Sequence, residues 1–397
     1  IEQRNNDVAA IADLTGTKPA AAVTIAEKPA GDYLNDLVLK FMAGEAPDVF
    51  LVNSIATAQL ASSGFVMPLD PTLETWSDWS QYPEIVRTNL KFQEQTWGLP
   101  YSVDTHFLYY RKEIFQQLGL PVPWQPATLD DVLAAARTIK AANADLIPLV
   151  LFAGANPGNS TAMRGFLPML RAYGGTLKDE DGKWIIESCA IQDALGFYEL
   201  TYQTEQLVPQ SVMTSVNAAN AMRMAFAKGE AGIMFDGSWV WDDWAKALPD
   251  IEQSIGYVLH PTSDGSSPFT LGGFGNTWFI NSQTKHPELA WAFVAAMNGV
   301  GVVTRLNLDD PHVPARSDSI ADPGFQDSAF NKAMVETIDS MVMLGPDPSY
   351  QELVGIIQNA TGIVATGEVN ATEAAKRYGD ELTRVLGADN VVKQTCA

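Results

Sequence analysis

Apolar and polar positions along this 397-residue chain follow first a strand–helix rhythm and later a mostly helical one. Residues 23–26 form a short apolar run that predicts a strand. Residues 31–43 predict an amphipathic helix with Tyr33, Leu34, Leu37, Val38 and Phe41 on one face. Gly44 stands where a helix C-cap belongs, and the run 48–52 predicts a buried strand. A further helix over 55–62 ends at Gly64, and 65–69 leads into Asp70-Pro71. This order predicts an α/β fold, with a mainly parallel sheet under covering helices.

The pattern changes at Trp97-Gly98-Leu99-Pro100-Tyr101. Residues 103–110 alternate as a strand and run into a helix over 112–118, closed by Gly119. Thr128 is an N-cap for a helix over 129–142, with Asp130 and Asp131 in its favourable first turn. Beyond lie a helical region at 161–173, a hairpin over 174–186 turning at Asp181-Gly182, and helices at 191–203 and 218–227. Strands are expected at 254–259 and 269–280, then a helix over 287–298. The remainder is helical, with loops at 309–316 and 344–349.

The stretch 225–244, AFAKGEAGIMFDGSWVWDDW, concentrates the chemistry. An apolar strand over 231–235 meets the turn Asp236-Gly237-Ser238, which releases Trp239, Trp241 and Trp244 beside Asp242 and Asp243. Strand, tight turn and helix start place side chains and backbone N–H groups at the mouth of a cleft in α/β proteins. Indole faces beside carboxylates suit an uncharged, many-hydroxyl ligand such as a sugar. The residues alone leave two readings open: a binding platform, or a helix packed onto its sheet.

Bulk properties narrow the classes. The length suggests two domains. No apolar run approaches the roughly 18 residues needed to cross a bilayer. A net charge of −22 argues against nucleic acid and anionic membrane surfaces. Two distant cysteines and four scattered histidines lack metal-ligand spacing, so neither metal nor cofactor is expected. Cys189 and Cys396 fit either one disulfide in an oxidising compartment or two unrelated thiols. The start, IEQRNND, lacks the features of a signal peptide, so the expectation is a cytoplasmic chain or a mature form without its export signal.

Four segments, in order, carry a family resemblance. Residues 44–69, GEAPDVFLVNSIATAQLASSGFVMPL, resemble the "SG-x-APDVF … ASSGxLxPLD" segment of carbohydrate-type extracellular solute-binding proteins. These are the substrate receptors of ABC importers, of the maltose-binding class. Residues 97–120 resemble that family's "GLPY-x-x-D … YYNKxLFxxxGL", and 225–244 its "F-x-x-GxAAMxxxGxW". Residues 271–298 are similar to "GGxGxxISxxSKxPExAWxFxxxL". The resemblance covers most of 23–387. It implies a two-lobed periplasmic-binding-protein fold of type II, with discontinuous lobes joined by about three crossings and the ligand held between them. The expected lobes are 1–105 with 260–309, and 106–259 with 310–397, crossing at 103–110, 257–261 and 308–316. One departure stands out: a helix over 7–14 precedes the strand at 23–26, where the family begins with a strand.

The resemblance also implies site residues. Asn53 and Ser54 follow the DVF strand, where they would meet a hydroxyl or cap a helix. Tyr101 and Asp104 flank the first crossing and suit stacking plus a charge-assisted hydrogen bond. Trp239 occupies the G-x-W position as the main stacking platform, with Trp241 an outside candidate and Trp244 a packing residue. Gly272, Gly273 and Phe274 offer close backbone approach. Arg316 would either hydrogen-bond a sugar or hold the lobes together.

The leading expectation is thus a non-catalytic, monomeric receptor that captures a mono- or oligosaccharide and delivers it to a membrane permease. Its place would be the periplasm or, lipid-anchored, the outer face of the cell membrane. The alternative is a secreted glycoside hydrolase, which needs two carboxyl groups facing one bond at about 5–10 Å. A nucleotide-dependent cytoplasmic enzyme lacks its glycine-rich loop, because GGFGN at 272–276 has the wrong place and spacing.

Overall fold

The computed structural model describes Thr24 and Tyr33–Thr395. The expected helix over 7–14, the rest of the strand at 23–26 and Cys396 lie outside the described residues. The chain divides into two units. Unit 1 comprises Ile1–Thr105, Gly272–Ile338 and Met343–Pro348, and unit 2 comprises His106–Leu271, Asp339–Val342 and Ser349–Ala397.

These bounds differ from the expected ones after the first crossing. The return to unit 1 falls at Leu271–Gly272, because strand Ile255–Val258 pairs with His106–Arg111 inside unit 2 and His260 bridges Phe269 there. The segment 308–316 does not cross at all. Its strand Val313–Pro314 pairs with Ser102–Asp104, both within unit 1.

In unit 1 a three-stranded sheet runs in the order Val49–Asn53, Asn276–Ile280, Gly98–Pro100. Both pairings are antiparallel, not the parallel ones expected, because a strand from far along the chain inserts between two early ones. Phe50 faces Phe279 in register, their rings stacked at 5.6 Å. The helix Tyr33–Ala43 buries Leu37 and Phe41 against this face, and Phe41 stacks on Phe65 at 4.6 Å.

Unit 2 is built on a four-stranded sheet in the order Ile255–Val258, His106–Arg111, Ala231–Gly237, Ile147–Val150. The first two pairings are antiparallel and the last is parallel. Every residue of the two middle strands is buried, His106, Arg111 and Asp236 included, although 103–110 reads as an alternating pattern. Helix Leu129–Ala142 starts on a reciprocal Thr128–Asp131 capping box. The hairpin turns at Gly182, whose N–H donates to Asp179 O at 3.1 Å.

Two expected strands are each broken in two. Residues 102–111 form Ser102–Asp104 and His106–Arg111, parted at Thr105, where the units divide. Residues 270–280 form Thr270–Phe274 and Asn276–Ile280, parted at Gly275. The helices Cys189–Tyr198 and Leu167–Ala172 each adjoin a π-helical stretch, Glu199–Thr204 and Ala162–Phe166. No single helix among the described residues is long and apolar enough to cross a membrane.

Candidate functional site

In unit 2 the strand Ala231–Gly237 delivers the D-G-S turn, and the helix Val240–Ala247 follows directly. Throughout residues 231–241 only Trp239 is more than marginally accessible. Gly237 allows its indole to fold back on the main chain, since a Cβ there would lie 2.1 Å from the ring. The His106 ring meets the indole edge-on at 5.3 Å, and the Arg164 guanidinium lies 5.5 Å from its centre. Trp239 thus presents a fixed apolar surface bordered by nitrogen donors.

The neighbouring tryptophans do other work. Trp241 is 7% exposed and packs edge-on against Tyr257 at 5.3 Å, so it offers no free face. Trp244 is buried, donates Nε1–H to Arg223 O at 3.1 Å and packs on Tyr109.

The carboxylates separate in the same way. Asp236 is fully buried and engaged by two guanidiniums, Arg223 at 2.7 Å and Arg164 at 3.3 Å. Burial alone would raise its pKa, but Arg164 and Arg223 outweigh that and hold it below the usual carboxylate value. Asp242 and Asp243 point outward and pair with Lys246 at 2.6 and 3.3 Å. All three carboxylates are thus engaged by cationic side chains.

In unit 1 the expected residues converge on the corner between Thr270–Phe274 and Asn276–Ile280. Asn53 pairs in register with Asn276, and its Oδ1 accepts Ile55 N–H at 3.1 Å as the cap of the short helix Ser54–Ala56. Ser54 donates its hydroxyl to Phe274 O and its N–H to Gly275 O. Asn276 Nδ2 donates to the Tyr101 hydroxyl at 3.1 Å, and Tyr101 is itself buried. Asp104 pairs in register with Gly273, and His312 Nε2 lies 3.5 Å from its Oδ1.

The glycines divide by role. Gly273 faces open space, whereas the N–H of Leu344 donates to Gly272 O at 3.1 Å. The close approach belongs to Gly275, where a Cβ would lie 2.4 Å from Asp104 Oδ1 and 3.0 Å from Ser102 Oγ. Phe274 is buried and contributes its backbone.

Arg316 stands apart. It is 2% exposed and bonded to Asp318, to Asp78 and to Asn298 O. All three partners belong to unit 1, so these bonds tie together one unit and do not join two. Arg164, His106, Asn276, His312 and Gly275 were not singled out from sequence. Gly275 and Asn276 lay inside the GGFGN motif; Arg164 and His312 sit in segments without a motif of their own.

Residues 6–302 match the model of the bacterial extracellular solute-binding protein family. The maltodextrin-binding protein MdxE of Bacillus subtilis is 22% identical over 94% of this chain and 83% of its own. Two solved structures are similar throughout. A solute-binding protein of an ABC transporter from Thermotoga lettingae, bound with alpha-D-tagatose, has a TM-score of 0.81 at 22% identity and 97% coverage of both chains. The GacH receptor of Streptomyces glaucescens, solved unliganded and with acarbose, has a TM-score of 0.82 at 22% identity, covering 96% of this chain and 94% of its own. The fold is the two-lobed type II periplasmic-binding-protein fold. With the family model spanning most of its length, the chain belongs to the bacterial extracellular solute-binding proteins, a membership that implies an extracytoplasmic location.

Proposed function

We propose that this protein captures a mono- or oligosaccharide and hands it to the permease of an ABC importer, acting as a monomer without cofactor or catalytic step. The observation that carries the reading is the partly exposed indole of Trp239, held at the end of an otherwise buried strand and turn. An aromatic face takes the apolar side of a pyranose, while polar donors and acceptors take its hydroxyls. Unit 1, taken by itself, gathers the polar groups Asn53, Asp104 and Asn276 at a chain corner.

Relatives named for maltodextrin, maltotriose and mannitol support this ligand class. The engagement of Asp236 by two arginines, and of Asp242 and Asp243 by Lys246, favours binding over glycoside hydrolysis. The family further supports a periplasmic or outer-face, lipid-anchored setting.

A thermal-shift screen across mono- and oligosaccharides tests the proposal, because a ligand that binds only the native state raises the melting temperature. A saturable shift without turnover is expected. A flat response across the panel, or release of cleaved product, would overturn it.

A further inference from the structure

We infer that Arg164 is a positioning residue for the Trp239 platform, locked in place through the buried carboxylate of Asp236. The inference rests on the reading of Trp239 as a ligand surface, and its first readout needs no ligand.

Arg164 sits in the π-helical stretch Ala162–Phe166, a wider turn that redirects side chains and recurs at functional sites. The stretch seats deeply only because residue 165 is glycine: a Cβ there would lie 2.5 Å from both Phe152 O and the Tyr198 hydroxyl. Seated there, Arg164 donates to Ser160 Oγ, pairs with Asp236 at 3.3 Å and places its guanidinium 5.5 Å from the Trp239 ring centre.

Asp236 cannot drift, because Arg223 holds both its oxygens from the helix Ala218–Ala227. The carboxylate therefore fixes the guanidinium, and the guanidinium fixes the indole by a cation–π contact. With His106 edge-on and Gly237 beneath, the ring has little rotamer freedom left. A platform ordered before binding spares the ligand the cost of ordering it.

The test uses Arg164→Gln and Arg164→Lys, each made in the native and the Trp239→Phe background. Acrylamide quenching of the Trp239 contribution, taken as the difference between the two backgrounds without ligand, should rise at least twofold in Arg164→Gln. Arg164→Lys, which keeps the charge, should fall between. Should Arg164→Gln not fold cooperatively, the lysine variant carries the test, with quenching above the native value expected and unaltered quenching overturning the inference.

With maltotriose as the probe, Arg164→Gln should weaken binding threefold or more in the native background and leave the Trp239→Phe background unchanged. Unaltered quenching, or an equal loss of affinity in both backgrounds, would overturn the inference. Failure of the native protein to bind maltotriose would count against a maltodextrin ligand, and the quenching result would then decide the role of Arg164.

Discussion

Arg223 grips Asp236 with two near-parallel hydrogen bonds, Nε to Oδ2 at 2.7 Å and Nη2 to Oδ1 at 2.9 Å. The bidentate fork matches a carboxylate in a way that a lysine could not. Because Arg164 also faces this carboxylate, a single buried anion organises two cations, one of them in contact with the Trp239 ring.

Removing that anion leaves two guanidiniums without the fully buried carboxylate they share. Asp236→Ala should therefore cost about 3–5 kcal/mol of folding stability, as breaking a buried ion pair from one side does. Urea unfolding monitored by far-UV circular dichroism measures it. A loss below about 1 kcal/mol, the size of an exposed pair, would mean the cluster is solvated.

Trp239→Ala should weaken saccharide binding by about 1–3 kcal/mol, the range for a cleft aromatic that anchors a ligand. Because the ring is partly exposed, the melting temperature should fall only slightly. Titration calorimetry with a sugar from the thermal-shift screen reads the first, and calorimetric unfolding the second. Unchanged affinity would remove Trp239 from the site.

His260 lies buried between the rings of Phe235 and Phe269, at 4.8 and 5.5 Å. Burial, with His106 nearby, pushes its pKa down to about 3, and the Phe269 carbonyl offsets only part of this. The folded state thus binds fewer protons than the unfolded chain between pH 6.5 and 3. Stability is fully present above the unfolded value and is lost as pH falls through that window. His260→Phe should flatten this part of the profile, followed by melting temperature at closely spaced pH values. An unaltered slope would assign the acid sensitivity to other groups.

Gly275→Ala drives a methyl group into Asp104 and Ser102. Overpacking of this kind costs about 1–3 kcal/mol. Asp104 should also shift from its place beside Gly273 and His312, so saccharide affinity should drop along with stability. Gly273→Ala, whose methyl group meets no protein atom within 4 Å, provides the contrast for stability and should leave the urea midpoint unchanged.

Strand Val391–Lys393 pairs in parallel with Trp184–Glu187, and Gln394 N–H donates to Glu187 O at 2.8 Å. The C-terminal residues therefore run beside the strand that leads into Cys189. We expect Cys189 and Cys396 to be bonded, with no thiol titrating in the denatured, unreduced protein. Reduction should then cost about 2–5 kcal/mol. Two titratable thiols would exclude the bond.

What could be read in the sequence follows from what each signal encodes. Periodicity and capping located the helix at 129–142 residue for residue, because both are local. The apolar run at 231–235 announced a buried strand, whereas the one at 48–52 became Val49–Asn53, with only Phe50 and Val52 buried, and burial says nothing about neighbours. So the antiparallel insertion of Asn276–Ile280 between two early strands went unread. Trp239 stood out because its motif surrounds it. Arg164 did not, since its meaning comes from Asp236, and that pairing exists only after folding. Arg316 shows the same limit: its sequence position suggested a bridge between lobes, while Asp78 waits within the same unit.

The order of strands in unit 1 also has a bearing on synthesis. The strands Val49–Asn53 and Gly98–Pro100 are made early, yet the strand that joins them, Asn276–Ile280, emerges only after residues 106–271 of unit 2. A nascent chain that has not reached residue 276 holds two strands that lack the partner both of them pair with among the described residues. Pairings this distant in sequence are slow to form. Residues 106–271 have already left the ribosome by then, so most of unit 2 has time to fold first, while unit 1 stays open until late in translation.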